Sequence, residues 1–194
     1  MRRSHSGRHV SRVLAFLSIL AVVQATRVNA QSDSTPQAFV DSVLSVQIRD
    51  YQARLLRHQR VLLLGMVDSM PERLYRDKAT PTQRDFAQQI HHAANAPAKM
   101  LVHALGGPPL AFPDTAEALN TRAGLRSFVN AAFDYMEELF HSQSESDRAR
   151  LTPAGKAQLW QLWDGIYAHT MWTGGQVVAN FRKHGMAPPD WLPF

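Results

Sequence analysis

Apolar residues in this chain recur at helical spacing in four stretches, and nowhere do they alternate with the period of two that a strand requires. The first stretch runs from Gln37 to Ser69. Phe39, Val40, Val43, Leu44 and Val46 open its pattern, and Val61, Leu62 and Leu64 continue it. It contains no proline, is interrupted only by Gly65, and stops at Met70-Pro71-Glu72. One long helix is predicted, with the basic stretch Arg54–Arg60 as the place for a break. Thr80-Pro81-Thr82 signals a second helix from Thr82 to Leu105, kinked at Pro97. GGPPLAFPDT, residues 106–115, is a Gly/Pro linker. A third helix is predicted over Arg122–Gln143, with Leu125, Phe128, Val129, Ala132, Met136, Leu139 and Phe140 in one stripe and Asp134 and Glu138 opposite. SQSESD, residues 142–147, reads as a loop. The last helix starts after Pro153 and reaches His184, turning Leu159, Leu162, Trp163, Ile166, Val177 and Phe181 inward. Gly185 ends it and Pro188-Pro189 prevent its continuation. Four amphipathic helices without an internal repeat predict an all-α fold, a four-helix bundle over residues 37–194.

Residues 1–30 read differently. Arg2, Arg3, Arg8 and Arg12 form a basic head, and the eleven residues Val13–Val23 form an apolar run. That run is too short for a membrane-spanning helix, which needs roughly 20 residues. Val28 and Ala30 are small residues placed for a signal peptidase, so the pattern predicts a secretory signal peptide cleaved after Ala30. Ala25 is a second candidate cleavage point, and an uncleaved anchor is the alternative. The expectation is an exported protein, periplasmic or secreted, with no stable membrane anchor after cleavage. Residues 31–36 (QSDSTP) are polar and read as a flexible mature N-terminus.

Charge narrows the partners. The chain carries a formal net charge of +5, but residues 1–30 hold five arginines and no acid, so the remainder is neutral. A neutral mature chain lacks the basic footprint of a nucleic-acid binder, so no nucleic-acid partner is expected. There is no cysteine, which excludes lipoprotein attachment, disulfides, a thiolate nucleophile and thiolate metal ligands.

Two stretches go beyond generic helical sequence: MPERLYRDKATPTQRDFAQQIHHAANA, residues 70–96, and HTMWTGGQVVANFRKHGMAPP, residues 169–189. In the first, Met70, Pro71, Glu72, Tyr75, Lys78, Thr80, Pro81, Arg84, Phe86, His92 and Ala94 fit one pattern. In the second, His169, Gly175, Gln176, Arg182, Gly185, Pro188 and Pro189 do, with Phe181 near an aromatic position. Together they resemble the DinB-like superfamily, over roughly residues 55–190. The resemblance implies a four-helix bundle, homodimers as a common state, and activities that include metal-dependent hydrolases and thiol-dependent transferases acting on small molecules.

It also implies a metal site of three histidines, one on the second helix and two at i, i+4 on the last. His92 and His169 occupy two of the places and Thr173 stands in the third. The i, i+4 spacing sets His169 and Thr173 on one helix face. Three neutral imidazoles would hold zinc or nickel with a position left open, whereas a neutral hydroxyl is a poor third ligand. Helical phase points the other way for His92, about 150° from the centre of the stripe Phe86, Ile90, Ala93, Leu101 and Ala104, and so outward.

The remaining candidates have simpler readings. His91 and His103 could supply a missing ligand but read first as surface residues. His141 suits the dipole at a helix C-terminus. Glu137 and Glu138 are helix neighbours that diverge, and Trp160, Trp163 and Trp172 read as core or interface. Gly174-Gly175, mid-helix, predict close backbone packing or the approach of a ligand beside His169. Serines lack a nucleophile-elbow setting and no phosphate-binding glycine loop occurs. Two functions remain: an exported enzyme with a divalent metal on His92, His169 and a third group, or a metal-free protein of the same fold that serves binding or scaffolding.

Overall fold

The computed structural model describes residues 34–105, 108, 118–152 and 157–190. The predicted signal peptide and the linker over residues 109–115 lie outside the described residues. The fold is all-α, and among the described residues there is no strand, only the isolated bridges Lys78–Asp85 and Leu151–Gln158. The helices are α1 (Ser34–Ser69), α2 (Phe86–Leu105), α3 (Arg122–Ser142), α4 (Glu145–Ala149) and α5 (Leu159–Lys183). None is long and apolar enough to cross a membrane. The chain divides into two units, Met1–Gln47 and Ile48–Phe194. In the first, Val43, Leu44 and Val46, expected on a buried stripe, are exposed.

In the second unit α1 continues without a break through Arg54–Arg60 and Gly65. Leu55, Leu56, Leu62, Leu63, Met66 and Val67 are buried, while Val61 faces out. Arg60 bonds Asn130 and Asp134 of α3 and Asp68 pairs with Arg126, so α1 and α3 are antiparallel. Gln52 donates to Trp160 O and to Asp164, and Leu62 and Met66 lie against Gly174, so α1 and α5 are parallel. α2 packs on both α3 and α5. In this unit, buried residues of α1 from Leu56 onward and of α2, α3 and α5 share one core that includes Leu63, Tyr75, Phe86, Phe133, Phe140 and Phe181.

The corner after α1 fixes where α2 begins. A 3-10 turn, Glu72–Leu74, follows Pro71, and Tyr75 is buried with its hydroxyl donating to Val67 O at 2.8 Å. The Glu72 carboxylate accepts the Arg122 N–H at 2.6 Å, tying this corner to the start of α3. α2 starts at Phe86, four residues later than Thr80-Pro81-Thr82 suggested. The reason is Asp85, which accepts the Gln88 N–H at 2.8 Å while its own N–H donates to Gln88 Oε1 at 3.2 Å. This reciprocal cap satisfies two donors that a helix start leaves open.

Residues 142–147 are not all loop: Ser144 and Asp147 form a capping box that starts the short α4. α5 begins at Leu159 and ends in a reciprocal turn around Gly185, whose φ is 66°. Gly185 N–H donates to Arg182 O and Met186 N–H to Phe181 O, both at 3.0 Å. The left-handed residue closing such an end is glycine because a Cβ would be strained there.

Candidate functional site

Antiparallel packing of α2 on α5 lines up a polar seam. At one end Asn180 donates to Asp77 O at 3.0 Å, and Gln83 donates to Gln176 O at 2.9 Å. Next, Gln89 Nε2 donates to Gln176 Oε1 at 2.8 Å. The His92 and His169 rings follow, 5.1 Å between centroids and 67° between planes. At the far end the Thr170 hydroxyl donates to Ala93 O at 3.3 Å. That last contact has a sequence cause. Pro97 has no N–H, so the Ala93 carbonyl lacks its i+4 partner within the helix, and α5 supplies a donor instead.

The structure therefore brings His92 and His169 together, against the outward phase of His92. The phase argument assumed one stripe on α2. Buried residues from Gln89 through Phe86, Ala93 and Pro97 to Ala98 cover about half the helix circumference at ~100° per residue, because α2 is covered on two sides. His92, beyond the edge of that arc, is half-buried against α5. Thr173 is buried at 2% exposure, one turn from His169.

Burial first, and then the charge of Arg84, hold both imidazoles below their ordinary pKa; for His92 the neighbouring His169 and His91 add to this. Both shifts favour the neutral ring. Three buried polar atoms of the seam, Gln89 Oε1, His169 Nδ1 and Asn180 Oδ1, make no hydrogen bond with any described residue. Each such atom costs about 1–3 kcal/mol when unpaired, so the seam holds hydrogen-bonding capacity that water or a ligand can meet.

These residues do not fit a three-ligand metal centre. Among the described residues, no His, Cys, Asp or Glu joins His92 and His169 to make a group of three. His91 is half-buried rather than on the surface, and its ring lies 4.3 Å from that of Phe128 on α3. His103 is exposed further along α2, and His141 is exposed in the last turn of α3. The cationic Arg84 acts on both rings and opposes a second cation.

No family model, curated protein or solved structure matches this chain. The expected resemblance to the DinB-like superfamily therefore has no match behind it, only the motif residues. Much of that motif has structural work: Met70 and Tyr75 are buried at the corner, Phe86 packs between Tyr75 and Phe181, and Gly185 terminates α5.

Gly174 and Gly175 have no such explanation. A Cβ on Gly174 would meet Leu62 Cδ2 at 3.8 Å and Met66 Cε at 3.9 Å, which is ordinary contact, and one on Gly175 would meet nothing within 4 Å. Close backbone packing therefore does not require either. Both line a cleft of about 330 Å³ between α1 and α5, about half a turn round α5 from His169 rather than beside it. Gln89 and this cleft escaped the sequence reading. Gln89 carried a signal, lying one helical turn before His92, whereas the cleft depends on how α1 meets α5 and carried none.

Proposed function

We propose that this protein is an exported, metal-free binding protein of the DinB-like type, a four-helix bundle that uses the seam between α2 and α5 to hold a small hydrogen-bonding ligand. The observation that carries this reading is the meeting of His92 and His169 without a third metal-ligating side chain among the described residues. The two imidazoles and the Gln89 carboxamide form a hydrogen-bonding seam that carries no charge of its own and feels the Arg84 cation. It suits a neutral partner with N–H or O–H groups better than a cation. The neutral mature chain supports the absence of a nucleic-acid partner, and the head of the sequence supports export.

A second reading, a metal-dependent hydrolase or thiol-dependent transferase, draws on the same ring pair and on the unpartnered His169 Nδ1. Zinc calorimetry on Thr173→His separates the two. Under the binding reading the native protein takes zinc weakly, and the substitution, placing an imidazole one turn from His169, tightens it markedly. His169→Ala in that background abolishes the gain. Tight, saturable zinc binding by the native protein would favour the enzyme, and no gain from Thr173→His would mean that the His92–His169 pair cannot be completed.

A further inference from the structure

The cleft between α1 and α5 is lined by the apolar side chains of Leu62 and Met66 from α1 and of Met171 and Val178 from α5, together with two adjacent glycines of α5, Gly174 buried and Gly175 exposed. Glycine inside a helix is unfavourable, and neither residue is required by a close backbone neighbour or a positive φ. What the two glycines accomplish is to keep larger side chains out of the space along this part of α5. At about 330 Å³ the space lies at the small end of the range for ligand pockets, which runs from about 300 to 1,000 Å³. Arg182 also lines it, is exposed, and forms no ion pair among the described residues. Its neighbour Lys183, by contrast, is engaged with Asp77.

We infer that this cleft binds a small amphiphile, an apolar chain ending in a carboxylate, with the chain over Gly174 and Gly175 and the head group on Arg182. Apolar walls supply the affinity, and a single planar guanidinium at the edge selects an anionic end and orients it. The site is separate from the His92–His169 seam and stands whether or not that seam holds a ligand.

The test is isothermal titration of the purified protein with decanoate, with decanol and decyltrimethylammonium as matched neutral and cationic probes. Decanoate should bind saturably at one site, decanol more weakly, and the cation not at all. Arg182→Gln should weaken decanoate about tenfold, the loss of one charge-assisted contact, and leave decanol unchanged. Gly175→Leu should abolish binding of both. Gly174→Ala, whose added methyl the packing accommodates, should weaken both without unfolding the chain, and keeps the test decisive if the leucine variant misfolds. Absence of saturable decanoate binding would overturn the proposal, as would equal affinity for the cation or indifference to both glycine substitutions. Sedimentation showing that Gly175→Leu dissolves a dimer, without an effect on decanoate, would overturn it in favour of a second copy in the cleft.

Discussion

Burial and Arg84 disfavour the imidazolium form of His92 and His169, and that has a consequence for stability. A group whose folded pKa is depressed contributes stability that is fully present above its unfolded pKa and lost as pH falls through the folded one. Stability should therefore decline as pH drops below about 6.5, the ordinary histidine value. Urea titrations at stepped pH should show this decline in the native protein and a shallower one in His169→Gln. An equal slope in both would mean that His169 is not the residue being protonated. Asp77, held low by the Lys183 and His184 side chains, acts in a separate window, below its ordinary value of 3.8. At this scale the sequence was half legible. The spacing of His169 and Thr173 was readable, but the inward position of His92 was not, because the second helix covering α2 is a tertiary fact.

Element boundaries followed capping chemistry more than apolar pattern. The start of α2 was misplaced because Thr80-Pro81-Thr82 is a strong signal, yet the residues that close the cap are Asp85 and Gln88. Asp85→Ala should destabilise the protein by about 1 kcal/mol, the usual worth of a cap, measured by urea denaturation. No change would place the start of α2 elsewhere. The short α4 announced itself through Ser144 and Asp147 in the same chemistry, but a five-residue helix has too little apolar periodicity to register. α3, by contrast, was readable to within one residue from its continuous stripe, although its cap, Thr121, was not among the signals read. Within α5 the glycines make a prediction of the opposite sign. Gly175→Ala should raise stability by about 1 kcal/mol, because the added methyl meets open space and helix propensity improves. A loss of stability would show that the backbone needs glycine there.

For the molecule as a whole, the all-α architecture was legible because four separate apolar stripes and a proline-rich linker leave little else to build. What was not legible is how the helices pair, which decides that α5 presents His169 to α2 and Gly174 to α1. The export reading makes a direct prediction: exported protein should have the intact mass of a chain beginning at Gln31. A full-length mass in the membrane fraction would contradict cleavage. The central claim, that the meeting of two histidines without a third ligand makes a binding site and not a metal centre, is tested most directly by elemental analysis of the native protein. Purified without chelator, it should carry zinc and nickel far below one equivalent per chain. Near-stoichiometric metal that survives mild chelation would contradict the account and show that another group completes the site.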